Sequence, residues 1–356
     1  MRGLLKAVSV AVAMLLAEGC SERPSLHIYT WADYISPTVI ERFEEKYGCK
    51  VVVDTFDTNE AMYAKLKAGG AGYDLLFPSS YIVGLLVKEG LVEALDHTKC
   101  PSVRKNFYKP YAKMLPEDPE LVYGAPYSSS QEIIFYDTKR IPAGVEVGTW
   151  AIFGNPAFKG KVSFLDDMRD VIGVGLMYLG YSINSTSQKE IDEAAAQVLK
   201  WRENARKFDS ESYKTEVANG STWISQGYSQ VAYQVIFGDA DGSGARPDLA
   251  CVYPKEGFTE SCEEMVVAKD APNRDLAYAL IEFLYSDVEA GVANMKYVFG
   301  ILPCKPAIDA LDDKFRDMLV MKPEIMAKAQ VIVGLESKPE VMEMYAKAWD
   351  RIRAVK

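Results

Sequence analysis

Residues 26–34 read Leu26-His27-Ile28-Tyr29-Thr30-Trp31-Ala32-Asp33-Tyr34, a short strand pattern that ends in rings and a carboxylate where the chain turns to solvent. Rings beside an acid suit amines, whose ammonium groups are attracted to ring faces and bond carboxylates strongly. The same rings serve equally well as caps over a core, so these residues alone do not choose. Outward from them, Ser36 at a cap position, Pro37 at the first helical position and Gly48 beyond the end predict a helix, with Val39, Ile40, Phe43 and Tyr47 on one face. A Val-rich strand follows over Lys50 to Phe56, then a helix over Glu60 to Ala68, a third strand over Tyr73 to Phe77, and a helix over Ile82 to Lys88. This order is β-α-β-α-β, which makes the strands parallel and the crossovers right-handed. The loops after the first and third strands then share one rim, where open α/β sheets bind ligands, and that rim carries Trp31, Asp33, Tyr34, Ser79 and Tyr81. Helix N-termini at such a rim favour anions, so a cation site there has to be made by side chains.

Residues 91–124 read as irregular and Pro-rich. Glu132 to Asp137 is a strand crossing into a second lobe, Lys161 to Leu165 another strand, and Asp166-Asp167-Met168-Arg169-Asp170 opens a helix to about Gly180. Ser187 caps a helix expected to run through about Lys207, with Ile191, Ala194, Ala195, Val198, Leu199 and Trp201 as its apolar stripe. Ser221 to Phe237 alternates around Gly227-Tyr228. Strand-like runs at Leu249 to Tyr253 and Met265 to Ala268 precede a helix over Asp275 to Tyr285, and a helix from about Pro339 to Ala354, with Ser337 near its cap, ends the chain.

The first nineteen residues carry Arg2 and Lys6 and then the apolar run Ala7 to Ala17, a pattern that predicts a signal peptide too short to span a bilayer. Ala17-Glu18-Gly19-Cys20 resembles a bacterial lipobox, which implies a lipid anchor on Cys20. Removing the leader moves the formal charge from −10 to −11. That balance argues against nucleic acid, which needs a basic footprint. About 337 remaining residues, in a chain that is 49% hydrophobic, suffice for two domains. Cys49, Cys100, Cys251, Cys262 and Cys304 are odd in number and show no C-x-x-C spacing; Cys251 and Cys262 flank a turn and are the pair most open to bridging. Two histidines, His27 and His97, argue against a His-rich metal site or a Ser-His-Asp triad, and no G-x-S-x-G occurs.

Asp167 and Asp170, three apart at a helix start, fit a capping-box variant, a carboxylate pair aimed at a cleft, or a paired-acid catalyst. Gly173 and Gly175 lie inside the helical run and suit helix packing better than a dinucleotide turn.

Several of these motifs occur together in one family. Tyr29-x-Trp31-x-Asp33-Tyr34, Asn59 through Lys67, Tyr73-Asp74-Leu75-x-x-Pro78-Ser79, Asp166-Asp167-x-Arg169-Asp170, Leu179-Gly180-Tyr181-Ser182 and Tyr253-Pro254-Lys255-Glu256-Gly257 resemble, in order, the bacterial spermidine/putrescine-binding periplasmic proteins. The resemblance implies an α/β, two-lobe periplasmic-binding-protein fold, each lobe a mostly parallel sheet flanked by helices, with the ligand cleft between lobes. It implies lobes of residues 26–130 plus 263–310 and 131–262 plus 311–356. It further implies an aromatic box of Trp31, Tyr34, Tyr81 and Tyr228, acids at Asp33, Asp167, Asp170 and Glu263, and polar contacts at Ser79 and Ser210. Ser261 stands where the family has Trp, and the Gly300 region lacks the expected Tyr. The function implied is a monomeric periplasmic protein, lipid-anchored, that delivers putrescine or spermidine to an ABC transporter permease, with no cofactor and no catalysis. A polyamine sensor, a same-fold binder of another solute, and an exported enzyme using Asp167 and Asp170 are the alternatives. An anionic ligand would call for arginine and lysine along the rim, where acids and rings stand instead.

Overall fold

The computed structural model describes residues 23–70, 72–238, 242–335 and 338–354. The leader, Cys20 and Ser337 lie outside the described residues. Among those residues the strands are β1 (Ser25–Thr30), β2 (Lys50–Thr55), β3 (Leu75–Leu76), β4 (Gly124–Asp137), β5 (Val162–Phe164), β6 (Ala205–Phe208), β7 (Ile224–Tyr228), β8 (Leu249–Val252), β9 (Phe258–Val267) and β10 (Ala329–Val331). They join in the order β2-β1-β3-β9-β4-β7-β5-β6, with β8 beside β4 and β10 beside β9.

At one end β1 pairs in parallel with β2 and β3, as β-α-β connections require. At the other, β5 pairs in parallel with β6 and β7. Between them run two long antiparallel strands. Residues 124–131 of β4 pair with β9, and residues 132–137 pair with β7 and β8. The sheet is therefore mixed: parallel in each outer part and antiparallel along the two crossings.

The apolar side chains sort to the two ends of this sheet. One core holds Ile28, Phe43, Phe77, Tyr127, Met265 and Leu302, with a smaller cluster of Tyr29, Phe56, Met62 and Leu76 on the other face of β1 and β3. A second core holds Ile133, Phe153, Phe164, Val198, Trp201 and Tyr345. The segment 311–319 returns to the first core through Leu311 and Leu319, and Met321 begins the second.

Local signals explain most elements. The helix Pro37–Tyr47 starts at Pro37 and ends at Gly48, whose N–H bonds the Glu44 carbonyl. Gly175 lets the helix Met168–Tyr178 lie against the helix Gln188–Arg202, because a Cβ there would come within 2.8 Å of the Ala194 carbonyl oxygen. Three expectations change. The helix expected through Lys207 stops at Arg202, where the Asn204 amide donates to the carbonyls of Phe153 and Asn155 and turns the chain into β6. Ser221 to Phe237 divides into β7 and a helix, Ser229–Phe237. Strand β4 begins at Gly124 and β9 at Phe258, ahead of the starts expected at Glu132 and Met265. Cys251 and Cys262 are both free. They face Phe135 and Ser129 of β4, a difference of six residues or ~20 Å along a strand, far beyond disulfide reach.

Candidate functional site

The two ends of the sheet enclose a cleft of about 580 Å³ whose floor is the crossing pair β4 and β9. Side chains alternate along a strand, so Ser130 and Glu132 of β4 and Thr259, Ser261 and Glu263 of β9 face the cleft together. From the first end, β1 delivers Trp31 and Tyr34 and the start of the helix Ser80–Lys88 delivers Ser79 and Tyr81. From the second end come Asp167 and Asp170 at the start of the helix Met168–Tyr178, Ser210, and Tyr228 at the end of β7. Nine of the ten residues singled out in the sequence thus line one cavity.

Asp33 does not. It sits on an exposed turn with φ 54° and pairs with Lys214 at 3.7 Å, bridging the cleft mouth. Its carboxylate engages Lys214 at the edge of the lining and is not itself among the lining groups.

Glu263 is the buried acid that the first end turns toward the cleft. Its two oxygens accept from the Tyr34 hydroxyl at 2.5 Å and the Ser79 hydroxyl at 3.3 Å. Asn59 holds this wall: its amide donates to Ser79 Oγ and Tyr81 OH, and its oxygen accepts from the Ser79 N–H. Burial pushes the Glu263 carboxyl up to about 7.

At the second end Asp167 serves as the helix cap, accepting from the N–H groups of Arg169 and Asp170 through a single oxygen. The capping and cleft-facing readings of this aspartate hold at once. Asp170 accepts from the Tyr228 hydroxyl at 2.5 Å; burial, and then the charge of Asp167, push its carboxyl up to about 8. Glu132, absent from the sequence reading, stands beside them with no exposed surface. Its oxygens accept from Gln226 Nε2 and from Thr259 Oγ1 at 3.1 Å. Burial first and the neighbouring Asp170 second raise its carboxyl well above the usual range. An acid among Ile133, Ile134 and Phe135 was the available signal, since a carboxylate inside an apolar strand needs a polar place to point.

Asn59, Gln230 and Thr259 were also missed. Near Gly300, where the resemblance leads one to expect a Tyr, a Cβ would fall 2.0 Å from Gln230 Nε2. The Gln230 amide, bonded to Ser128 Oγ at 2.7 Å, occupies that wall in place of a ring.

Among the described residues seven carboxylates line the cleft, from Asp57, Glu132, Asp166, Asp167, Asp170, Glu211 and Glu263, against the cations Arg169 and Lys214. Arg169 is committed to Asn184 and the Val333 carbonyl, and Lys214 to Asp33. Five rings, Trp31, Tyr34, Phe56, Tyr81 and Tyr228, stand in the walls. Such a cavity favours a flexible cation with an apolar middle.

The family described as bacterial extracellular solute-binding protein matches residues 38–326. The chain belongs to that family. These are solute-binding proteins and not enzymes. Among curated relatives, the solute-binding protein described here is 28% identical over 355 residues to the putrescine/cadaverine-binding protein of Pseudomonas aeruginosa, covering 98% of this chain and 99% of that one. It is 33% identical over 302 residues to the spermidine/putrescine-binding periplasmic protein of Salmonella typhimurium, covering 82% of each. The spermidine/putrescine ABC transporter substrate-binding protein of Streptococcus pneumoniae superposes with a TM-score of 0.78 at 27% identity, over 93% of this chain and 99% of that one. These likenesses agree with the two-lobe arrangement of the sheet.

Proposed function

We propose that this solute-binding protein captures a linear polyamine, putrescine or spermidine, in the cleft and delivers it to the permease of an ABC importer. The observation that carries this reading is the lining: buried carboxylates at both ends, rings between them, and cations that are already engaged, Lys214 with Asp33 and Arg169 with Asn184 and the Val333 carbonyl. One ammonium is held by Glu263 and another by Asp170 with Asp167, while Trp31, Tyr34, Tyr81 and Tyr228 cover the methylenes and Ser79 and Ser210 complete the polar contacts. A buried ammonium left unpaired costs several kcal/mol by order of magnitude, which is why acids stand at both ends. The names of the relatives support the same ligand class.

Capture proceeds by rotation of two lobes, residues 26–130 with 263–310 and residues 131–262 with 311–356, about the crossings near Ser130 and Cys262. The packing of Leu311 and Leu319 in the first core favours a return to the second lobe nearer residue 320. The protein acts as a monomer in the periplasm, anchored through a lipid on Cys20.

Trp31, half-buried and donating to the Phe77 carbonyl at 3.0 Å, is the reporter. Intrinsic fluorescence should change in a saturable way with putrescine or spermidine and stay flat with glutamate or phosphate. Equal responses to the anions would overturn the reading. Labelling the chain with radioactive palmitate in a Gram-negative host tests the anchor: Cys20→Ala should abolish the label, and retained label refutes the assignment.

A further inference from the structure

The second-lobe acid that the family motifs did not indicate has a geometric relation to Glu263. In the β4–β9 ladder Ser128 faces Glu263 and Gln131 faces Glu260. Continued by one residue, that register sets Glu132 opposite Thr259, in agreement with the hydrogen bond between their side chains. Thr259 and Glu263 are four residues apart on β9, and both line the cleft. The Cα atoms of Glu132 and Glu263 are therefore ~13 Å apart along the crossing strands. Both side chains are glutamates on the same face, so this Cα spacing sets the order of the distance between their carboxylates.

The two carboxylates are also held in the same manner. Each is buried, and each accepts from neutral donors: Tyr34 and Ser79 for Glu263, Gln226 and Thr259 for Glu132. Neither has a lysine or arginine within ion-pair distance among the described residues. A buried carboxylate is stable as an anion only with a positive partner. Here the donors align the oxygens and leave the partner to come from the cleft.

The length of the cleft floor then selects the occupant. A four-carbon α,ω-diamine has five bonds between its nitrogens, and at ~1.25 Å of advance per bond its nitrogens lie ~6 Å apart. Adding ~2.8 Å for a charge-assisted hydrogen bond at each end brings the acceptor oxygens to ~12 Å. A triamine with nine bonds between its terminal nitrogens needs ~17 Å on the same reckoning. We propose that Glu132 is a ligand-binding and specificity-determining residue that receives the distal ammonium of a four- or five-carbon diamine whose near ammonium sits on Glu263. Asp170 approaches the same ammonium from the side, and the rings span the methylenes. This assignment rests on the polyamine reading and narrows it to short diamines.

Calorimetric titration of the intact protein and of Glu132→Gln and Glu132→Asp with butylamine, putrescine, cadaverine and spermidine tests it. Butylamine, which carries only the near ammonium, is the control for a general structural effect. In the unsubstituted protein putrescine should bind about a hundredfold more tightly than butylamine; Glu132→Gln should shrink that ratio at least about tenfold while shifting butylamine by less than about threefold. Glu132→Asp keeps the charge and withdraws it by one methylene, so the preference should move from putrescine toward cadaverine. Should Glu132→Gln fail to fold, this shift in length preference decides alone. An unchanged putrescine-to-butylamine ratio in Glu132→Gln, or an unchanged ranking in Glu132→Asp, overturns the assignment and leaves polyamine binding standing. No binding of any amine by the unsubstituted protein overturns both.

Discussion

The two faces of β9 set the same residue type in opposite circumstances. Glu263 and Glu264 are adjacent, and both are buried. Glu263 points into the cleft and is aligned by two hydroxyl donors. Glu264 points into the first lobe beside Gly124, and neither of its oxygens has a hydrogen-bond partner among the described residues. Burial, and then the charge of Asp118, raise its carboxyl well above the ordinary value. Burial alone therefore does not mark a binding acid; donors that hold a carboxylate at a cavity wall do. Glu263 stands where an arriving cation can stabilise its ionised form, whereas burial disfavours ionisation of Glu264, which does not line the cleft from which a cation could offset it.

Glu263→Gln preserves shape and removes the charge, so putrescine binding should weaken by about 2–5 kcal/mol, the cost of truncating one member of a buried charged pair. Calorimetry of Glu263→Gln and Glu264→Gln side by side checks this, and a larger loss in Glu264→Gln would reverse the contrast. Stability should respond in the other direction. Glu264→Met removes a buried acid without a partner and should raise the unfolding free energy by about 1–3 kcal/mol, read from urea melts; a destabilised variant would mean that the acid has a structural partner.

The pH response follows from the same contrast. Glu263 and Asp170 have native values of about 7 and about 8, above the ~4 of an unfolded chain. The native state thus binds more protons than the unfolded state across that window. Stability of the empty protein is greatest below it and falls as pH rises through about 7 to 8. An ammonium stabilises the ionised forms, so ligand capture releases protons and putrescine affinity should rise between pH 6 and pH 8, by roughly tenfold from Glu263 alone and further from Asp170. An affinity independent of pH over that range would show that these acids are ionised before the ligand arrives. The smallest effect is expected at the cleft mouth. Asp33→Asn breaks the exposed bridge to Lys214 and should cost less than about 1 kcal/mol in binding; a loss matching Glu263→Gln would place Asp33 in the site after all.

The outer part of each lobe was legible because its signals are local. Ser36, Pro37 and the Val39-Ile40-Phe43-Tyr47 stripe specify a helix within eleven residues. The first halves of β4 and β9 were not legible. Gly124, Pro126 and three consecutive serines carry turn chemistry, and they form strand only because each strand supplies the other with partners from more than a hundred residues away. The site divides in the same way. Trp31, Tyr34, Ser79 and Tyr81 follow from parallel strands ending at one rim, and Asp167 and Asp170 from a helix start. Glu132 depends on the register of the crossings, and the position of Asp33 on the turn after β1. Neither leaves a periodic trace in the sequence.

Cation capture in the cleft is tested most directly by calorimetric titration of the intact protein at pH 8 with putrescine and, separately, with glutamate. Saturable one-to-one binding of putrescine and no heat of binding with glutamate is the predicted result. Glutamate binding as tightly as putrescine, or putrescine giving no binding at all, would contradict it.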